Sequence, residues 1–302
     1  MANVEMMLSV LVISYQHKDY IRRCLESILM QKTIYDYEVI IADDFSTDGT
    51  REIIKEYRQK YGDIIKLVLQ RKNQGATRNH YYALKMAKGK YIIAIEGDDY
   101  WTDVNKLQKQ VDFLENYQEC VGVFHKCKFV DENDKIINRR YENLYPVKNN
   151  YSMKHFEKGI LAGQGATFMF RNNMMDYKII PKLHNMVGDQ TIYAVLLAQG
   201  QFGFIDEKMS AYRMVRKKGG GNASSIMKYN NYTDITWMYY YNLEKYINKT
   251  YNLNASFEIS RKVQVCAAYD ILKNDFCVKN IVVYFKVLLY TYMTKMKNRY
   301  QL

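Results

Sequence analysis

The sequence predicts an α/β fold: a doubly wound, mostly parallel sheet with helices on both faces, followed by a helical C-terminal extension. Two observations predict this class. Short apolar runs alternate with segments of helical periodicity through roughly the first 115 residues, which is the pattern of consecutive strand–helix–strand units. From about residue 226 onward the chain is rich in Tyr, Asn and Lys and has the periodicity of helices.

Four buried strands are predicted in the N-terminal part, each from an apolar run too short for a helix. They cover residues 8–14 (LSVLVIS), 37–42 (YEVIIA), 64–69 and 91–95. Helices are predicted between them because apolar side chains recur on one helical face. The first contains Ile21, Leu25, Ile28 and Leu29, the second Ile53, Ile54, Tyr57 and Tyr61, and the third covers about 76–87 and ends before Gly89.

The alternation weakens after Val121. We expect a strand over 163–171, a helix over 189–197, a strand over 202–206 and then a basic loop, YRMVRKKGGGNAS. This order predicts one domain over residues 1–225, with a nucleotide half of about 1–118 and an acceptor half of about 119–225. Residues 226–302 are predicted to form the helical extension.

Composition narrows the class of protein. The net charge is +12, which favours anionic partners such as nucleotides, nucleic acid or an anionic membrane face. The five cysteines form no C-x-x-C pair, so we expect reduced thiols. No basic leader and no apolar segment of membrane-spanning length is seen, which predicts a cytoplasmic protein.

The fourth predicted strand ends in three carboxylates within four residues, in the segment IIAIEGDDYW. Parallel sheets bind ligands beyond the carboxyl ends of their strands. The polar residues that end three of the strands should therefore meet at one rim: Ser14, Tyr15, Asp43, Asp44, Glu96, Asp98 and Asp99.

Carboxylates at this spacing suit a hard divalent cation such as Mg²⁺ or Mn²⁺, whose remaining ligands are water and substrate phosphates. A basic protein with a small acidic niche is what binding a nucleotide diphosphate requires. The alternative is that these acids only precede a helix, where negative charge favours the helix dipole. That explanation accounts for one acid better than for three.

The sequence resembles the family 2 glycosyltransferases, inverting enzymes of the GT-A fold that use nucleotide-diphosphate sugars. The resemblance covers most of residues 8–213. Four segments carry it: VLVISYQHKDYIRRCLESILMQ, IIADDFSTDGT, NQGATRNHYYALKMAKGKYIIAIEGDDYWT and GDQTIYAVLLAQGQFGFIDEKMSAYR. It implies bacterial surface polysaccharide synthesis, with a glycan or lipid-linked hydroxyl as the acceptor.

The resemblance also implies roles at the nucleotide end of the site. Ser14 and Tyr15 would border the nucleobase. Asp44, or its neighbour Asp43, would accept a hydrogen bond from the imide of a uracil-like base. Arg78 would lie beside the base or the phosphates.

At the sugar end, Asp98 and Asp99 match the family's Asp-x-Asp type motif. Asp99 would ligate the metal, and Asp98 would hold the ribose or the sugar and stand near the same ion. Glu96 would contact the donor sugar. Asp189 matches the catalytic base, which deprotonates the acceptor hydroxyl as it attacks the anomeric carbon.

Two positions depart from the family's pattern. Gln190 stands where an aromatic residue is common. Met214 and Val215 follow Arg213, where relatives carry a His that ligates the metal. Either the metal has fewer protein ligands here, or cations replace that ligand: Arg213, Arg216, Lys217 and Lys218.

Two alternative functions remain. A nucleotidyltransferase should carry a Gly-rich basic phosphate loop after the first strand, where SYQHKDY stands instead. A non-catalytic protein that binds nucleic acid should carry basic and aromatic residues on the rim, where acids stand, so no nucleic-acid partner is expected.

The C-terminal helices either contact the inner face of the membrane peripherally, pack on the catalytic domain, or pair with a second copy.

Overall fold

The computed structural model describes residues 6–137, 150–160, 162–179, 188–215, 233–274 and 277–299. Its strands are β1 (Leu8–Ser14), β2 (Tyr37–Asp43), β3 (Ile65–Leu69), β4 (Tyr91–Glu96), β5 (Tyr100–Trp101), β6 (Cys120–Val130), β7 (Met169–Arg171) and β8 (Gln201–Arg213). Its helices are α1 (Ile21–Leu29), α2 (Thr50–Tyr61), α3 (Ala76–Met86), α4 (Lys106–Asn116), α5 (Met153–Glu157), α6 (Gly188–Leu197), α7 (Thr233–Tyr251), α8 (Glu258–Asn274) and α9 (Val278–Arg299).

The described strands form one sheet in the order β3-β2-β1-β4-β7-β6-β8-β5. The half that contains β1 to β4 is parallel, whereas β7 runs antiparallel to both of its neighbours and β5 runs antiparallel to β8. The predicted doubly wound α/β sheet is confirmed. The strand order reverses between β1 and β4, so the topological switch point lies at their carboxyl ends, where such sheets bind ligands.

Both faces of the sheet are covered. Along β1 the side chains alternate: Leu8, Val10 and Val12 pack with α1, α2 and α4, whereas Leu11 packs on the other side with α3, α5 and α6. This alternation follows from the two-residue period of a strand. It explains why the first strands are nearly continuous apolar runs.

The elements after Val121 differ most from the prediction. The strand expected over 163–171 is a 3₁₀ turn at Gly165–Thr167 followed by β7 alone, and the strand expected over 202–206 extends from 201 to 213 as β8. Strand β6, which the sequence pattern did not predict, pairs with β8 in parallel over its full length. The helix predicted over 189–197 is confirmed as α6. The predicted basic loop lies outside the described residues from Arg216 onward.

The C-terminal helices divide between two cores. Tyr239, Leu243 and Ile247 of α7 belong to the main core with α6, whereas Trp237 packs with Ala268 of α8 and Val287 of α9. Helix α7 is therefore part of the sheet's own packing, although the predicted domain boundary at residue 225 separates it. No helix in the described portion of the chain is long and apolar enough to cross a membrane.

Candidate functional site

The three acids predicted at the rim lie in a tight turn that leaves β4. The N–H of Gly97 donates to Ile13 O (2.8 Å), and the N–H of Asp99 donates to Glu96 O (3.0 Å). A Cβ on Gly97 would lie 2.7 Å from Nδ1 of His17, closer than such atoms approach in proteins. The glycine therefore allows the acidic turn to pack directly against the segment that follows β1.

Asp98 and Asp99 are buried, at 1% and 2% exposure, whereas Glu96 is half-buried. Burial raises the pKa of all three carboxyls, and repulsion among them raises the pKa of Glu96 and Asp99 further. Among the described residues, neither oxygen of Asp98 and only Oδ1 of Asp99 meets a hydrogen-bond donor. Buried carboxylate oxygens without donors are costly, so this turn has the chemistry of a cation site.

Arg213 is buried and holds the acidic turn after β4 in place through hydrogen bonds. Its N–H donates to Asp99 Oδ1 (2.8 Å), and its Nε donates to Asp98 O (2.8 Å). The rest of the guanidinium bonds to Asp131 O (3.0 Å) and Asp134 Oδ1 (2.6 Å). Arg213 thus holds the acids and the turn after β6 together, and its predicted role toward the donor stays a prediction.

The two acids after β2 are satisfied within the protein. Asp43 accepts from the N–H of Ser46 (3.0 Å) and from the Arg51 guanidinium. Asp44 accepts from the N–H groups of Gln74 (2.6 Å) and Gly75 (2.8 Å). Asp44 therefore anchors the loop that leads into α3, and its predicted bond to a nucleobase stays a prediction.

Three other predicted residues lie at the same rim. Ser14 ends β1 with its hydroxyl buried, and Tyr15 follows it with its side chain 36% exposed. Arg78 lies in the first turn of α3, is exposed, and pairs with no acid in the described residues. Asn79 donates its side-chain amide to Ala42 O (2.7 Å), which fixes this turn of α3 beside the end of β2.

Asp189 lies in the first turn of α6, where the helix dipole favours its negative charge, and Gln190 N donates to its Oδ1 (2.8 Å). Asp189 is exposed as a residue, yet burial of its carboxyl raises the pKa. The charge of Asp189 also raises the pKa of Glu96, so the two carboxyls lie close enough to interact.

Helix α7 forms part of the wall beside Asp189. The hydroxyls of Thr191 and Tyr239 are 2.7 Å apart. Burial, and after it the negative charge of Asp189, raises the pKa of Tyr240 to about 12. The C-terminal helices are not predicted to reach the site, since a helical repeat of tyrosines does not indicate which of them face a distant carboxylate.

His17 is another residue at the rim that sequence reasoning did not assign to the site. It is buried, with its Nε2 3.9 Å from Asp98 Oδ1. The available signal was its position three residues after Ser14, at the end of β1. No group of three His, Cys, Asp or Glu side chains in the described ranges is arranged to hold a metal by itself.

The chain is an α/β protein whose buried, donor-poor acids lie at the switch point of the described sheet, where sheets of this class bind ligands. The family described as Glycosyl transferase family 2 matches residues 9–179. The chain belongs to this family, which confirms the resemblance seen in the sequence.

Two curated relatives are glycosyltransferases by name. The chain is 39% identical over 114 residues to the putative teichuronic acid biosynthesis glycosyltransferase TuaG of Bacillus subtilis, over 38% of this chain and 44% of TuaG. It is 36% identical over 147 residues to the UDP-Glc:alpha-D-GlcNAc-diphosphoundecaprenol beta-1,3-glucosyltransferase WfaP of Escherichia coli, over 48% of this chain and 54% of WfaP. The chain thus matches about half the length of these relatives.

Among solved structures, the chain is similar to residues 1–349 of TarS from S. aureus in complex with UDP-GlcNAc. The TM-score is 0.65 at 16% identity, over 94% of this chain and 80% of that one. This likeness confirms the predicted GT-A fold and, at such low identity, the fold alone.

Proposed function

We propose that this chain is an inverting glycosyltransferase. It moves a sugar from a nucleotide-diphosphate donor, a UDP-sugar, to a hydroxyl of a glycan or lipid-linked acceptor in the synthesis of a bacterial surface polysaccharide. The observation that carries the proposal is a pair of buried acids, three of whose four oxygens meet no donor among the described residues, at the switch point of a family 2 sheet. The names of TuaG and WfaP support the polysaccharide setting and the UDP-sugar.

Asp98 and Asp99 would hold a divalent cation, Mg²⁺ or Mn²⁺. Their three oxygens without donors fit a hard ion that keeps water and phosphate oxygens as its other ligands. When bound, the ion supplies positive charge that offsets the charge of the diphosphate. Arg213 contributes by holding both acids in position through Asp99 Oδ1 and Asp98 O.

Asp189 would act as the general base. Its carboxylate takes the proton of the acceptor hydroxyl while the oxygen attacks the anomeric carbon, and the bond from that carbon to the diphosphate breaks on the opposite face. The nucleotide diphosphate leaves with the bonding electrons. Burial of the Asp189 carboxyl favours this role because it raises the pKa, and a carboxylate with a raised pKa is a stronger base.

A thermal denaturation experiment tests the proposal on the wild-type chain. We expect UDP with Mn²⁺ to raise the melting temperature more than either alone, because a ligand that binds only the folded state stabilises it. The gain is about 2.7 kcal/mol at a ligand concentration 100 times the Kd. Stabilisation by a single-stranded oligonucleotide, with no response to UDP, would instead favour a nucleic-acid-binding protein.

We propose that helix α9 makes a peripheral contact with the membrane. Its exposed apolar side chains form one stripe, led by Val278 and Phe285 at 77% and 62% exposure and continued by Val282, Leu289, Tyr292 and Met293. The segment 278–299 has five Lys and Arg and no Asp or Glu. A second copy packed symmetrically on this stripe would bring the basic charges together, whereas an anionic lipid surface complements them.

We expect the chain to sediment with vesicles that contain phosphatidylglycerol and to remain in solution with phosphatidylcholine alone. The double variant Phe285→Ser/Leu289→Ser removes the centre of the stripe and should abolish sedimentation, while Tyr117→Ser, an exposed aromatic on α4's C-terminal side, should not. A wild-type chain that ignores both vesicles but forms a dimer by light scattering would contradict the membrane contact.

A further inference from the structure

Two large residues at the rim have a backbone conformation that residues other than glycine rarely adopt. Gln16, after β1, has φ +57°, and Phe45, after β2, has φ +68°. Left-handed backbone is unusual for any residue with a Cβ and is an outlier for a bulky one. Such residues persist where their surroundings impose the conformation, and they concentrate at binding sites.

The surroundings of these two residues tie their turns to each other. The N–H of Gln16 donates to Ser46 Oγ (2.9 Å), and the N–H of Thr47 donates to Gln16 Oε1 (2.9 Å). The side-chain amide of Gln16 returns a bond to Thr47 Oγ1 (3.2 Å). Ser46 is itself held by both oxygens of the buried Asp43. Phe45 therefore lies in a segment that is clamped on both sides.

This clamp keeps an aromatic ring on the surface. Phe45 is 41% exposed, and the guanidinium of Arg51 lies 5.2 Å from the centre of its ring. Arg51 is fixed in turn by Asp43 and by Gln70 O. A glycine would adopt the same φ at no steric cost, so the turn itself does not require the phenyl ring.

Tyr15 presents a second exposed ring on the neighbouring strand end. The N–H of Asp44 donates to Ser14 O (2.9 Å), so Tyr15 and Phe45 each directly follow a member of this hydrogen-bonded pair. Two exposed aromatics thus follow the paired ends of β1 and β2, next in the chain to Ser14 and to the buried Asp44, whose carboxylate anchors the loop into α3. Flat apolar faces beside a polar anchor suit a planar heterocycle.

We infer that Phe45 is a stacking platform for the nucleobase of the donor, opposite Tyr15, and that the clamped left-handed turn exists to present its ring. This inference rests on the proposed function and adds a residue that determines how tightly the nucleoside part binds. The Gln16–Ser46–Thr47 bonds keep the ring ordered before the ligand arrives, which lowers the entropy cost of binding.

Isothermal titration with uridine, UMP and UDP, each in the presence of Mn²⁺, tests it. Phe45→Ala should weaken binding of all three by the same factor, at least about fivefold, since base stacking on an aromatic does not depend on the phosphates. Inorganic pyrophosphate should bind the variant as it binds the wild type. Phe45→Trp should retain affinity for uridine, UMP and UDP.

Two further variants separate stacking from folding. Phe45→Gly relieves the left-handed strain, so it should melt no lower than the wild type and yet lose the same affinity as Phe45→Ala. Tyr117→Ala, the loss of an exposed aromatic far along the chain, should leave binding unchanged. If the wild type binds UDP and Phe45→Ala binds it equally well, the inference fails alone. A wild type that binds no uridine ligand overturns the inference together with the proposed function.

Discussion

Asn in place of Asp189 is expected to lower sugar transfer by about 10²–10⁴-fold, the usual contribution of a general base. Asn can accept the same hydrogen bond from Gln190 N, so α6 should begin as before. What it cannot do is take the proton of the acceptor hydroxyl. The measurement is UDP release from whichever sugar nucleotide a donor panel selects, together with UDP affinity, which should not change.

The control for Asp189→Asn is Glu207→Gln, which removes an exposed acid of β8 that pairs with Lys109 and should leave turnover unchanged. In the wild type, only the ionised carboxylate of Asp189 can accept the proton, so turnover should fall as the pH decreases through the pKa of this group. Burial raises that pKa above the ordinary Asp value of about 3.9. Unchanged turnover in Asp189→Asn would remove this residue from the mechanism.

The rim was predictable because parallel strands carry their own signal. Each of β1, β2 and β4 is an apolar run that ends in polar residues, and the alternation of strand and helix determines that their carboxyl ends share one edge. Ser14, Asp44 and Asp98 could therefore be assigned to one site without knowledge of any contact between them. The alternation of strand and helix does not indicate which carboxylates already accept hydrogen bonds within the protein, as those of Asp43 and Asp44 do.

The acceptor side was less predictable because its strands are not apolar runs. Strand β6 contains His125, Lys126 and Lys128, which interrupt its apolar run, and Lys126 pairs with Asp206 of β8. Sequence spacing likewise gave no reason to bury Arg213. Its bonds run to the turns after β4 and β6, about 80 to 115 positions away in the chain.

Asp99→Asn is expected to abolish the part of UDP binding that depends on Mn²⁺. The variant keeps the Oδ1 acceptor that Arg213 N requires, so the turn should retain its shape, while the oxygen without a donor and the negative charge are lost. We also expect the unliganded variant to melt at a higher temperature than the wild type, because a buried charge beside Asp98 is removed. Greater stability with lost metal dependence is the signature of an acid retained for binding.

Asp103→Asn is the matched control for that experiment. Asp103 lies four positions along the chain, but its carboxylate already pairs with Lys109 (2.7 Å) and has no need of a cation. Its loss should leave the manganese response of UDP binding intact and should not raise the melting temperature. If Asp99→Asn instead keeps the full response to Mn²⁺ and melts below the wild type, Asp99 is a structural acid bonded to Arg213. The cation would then bind elsewhere.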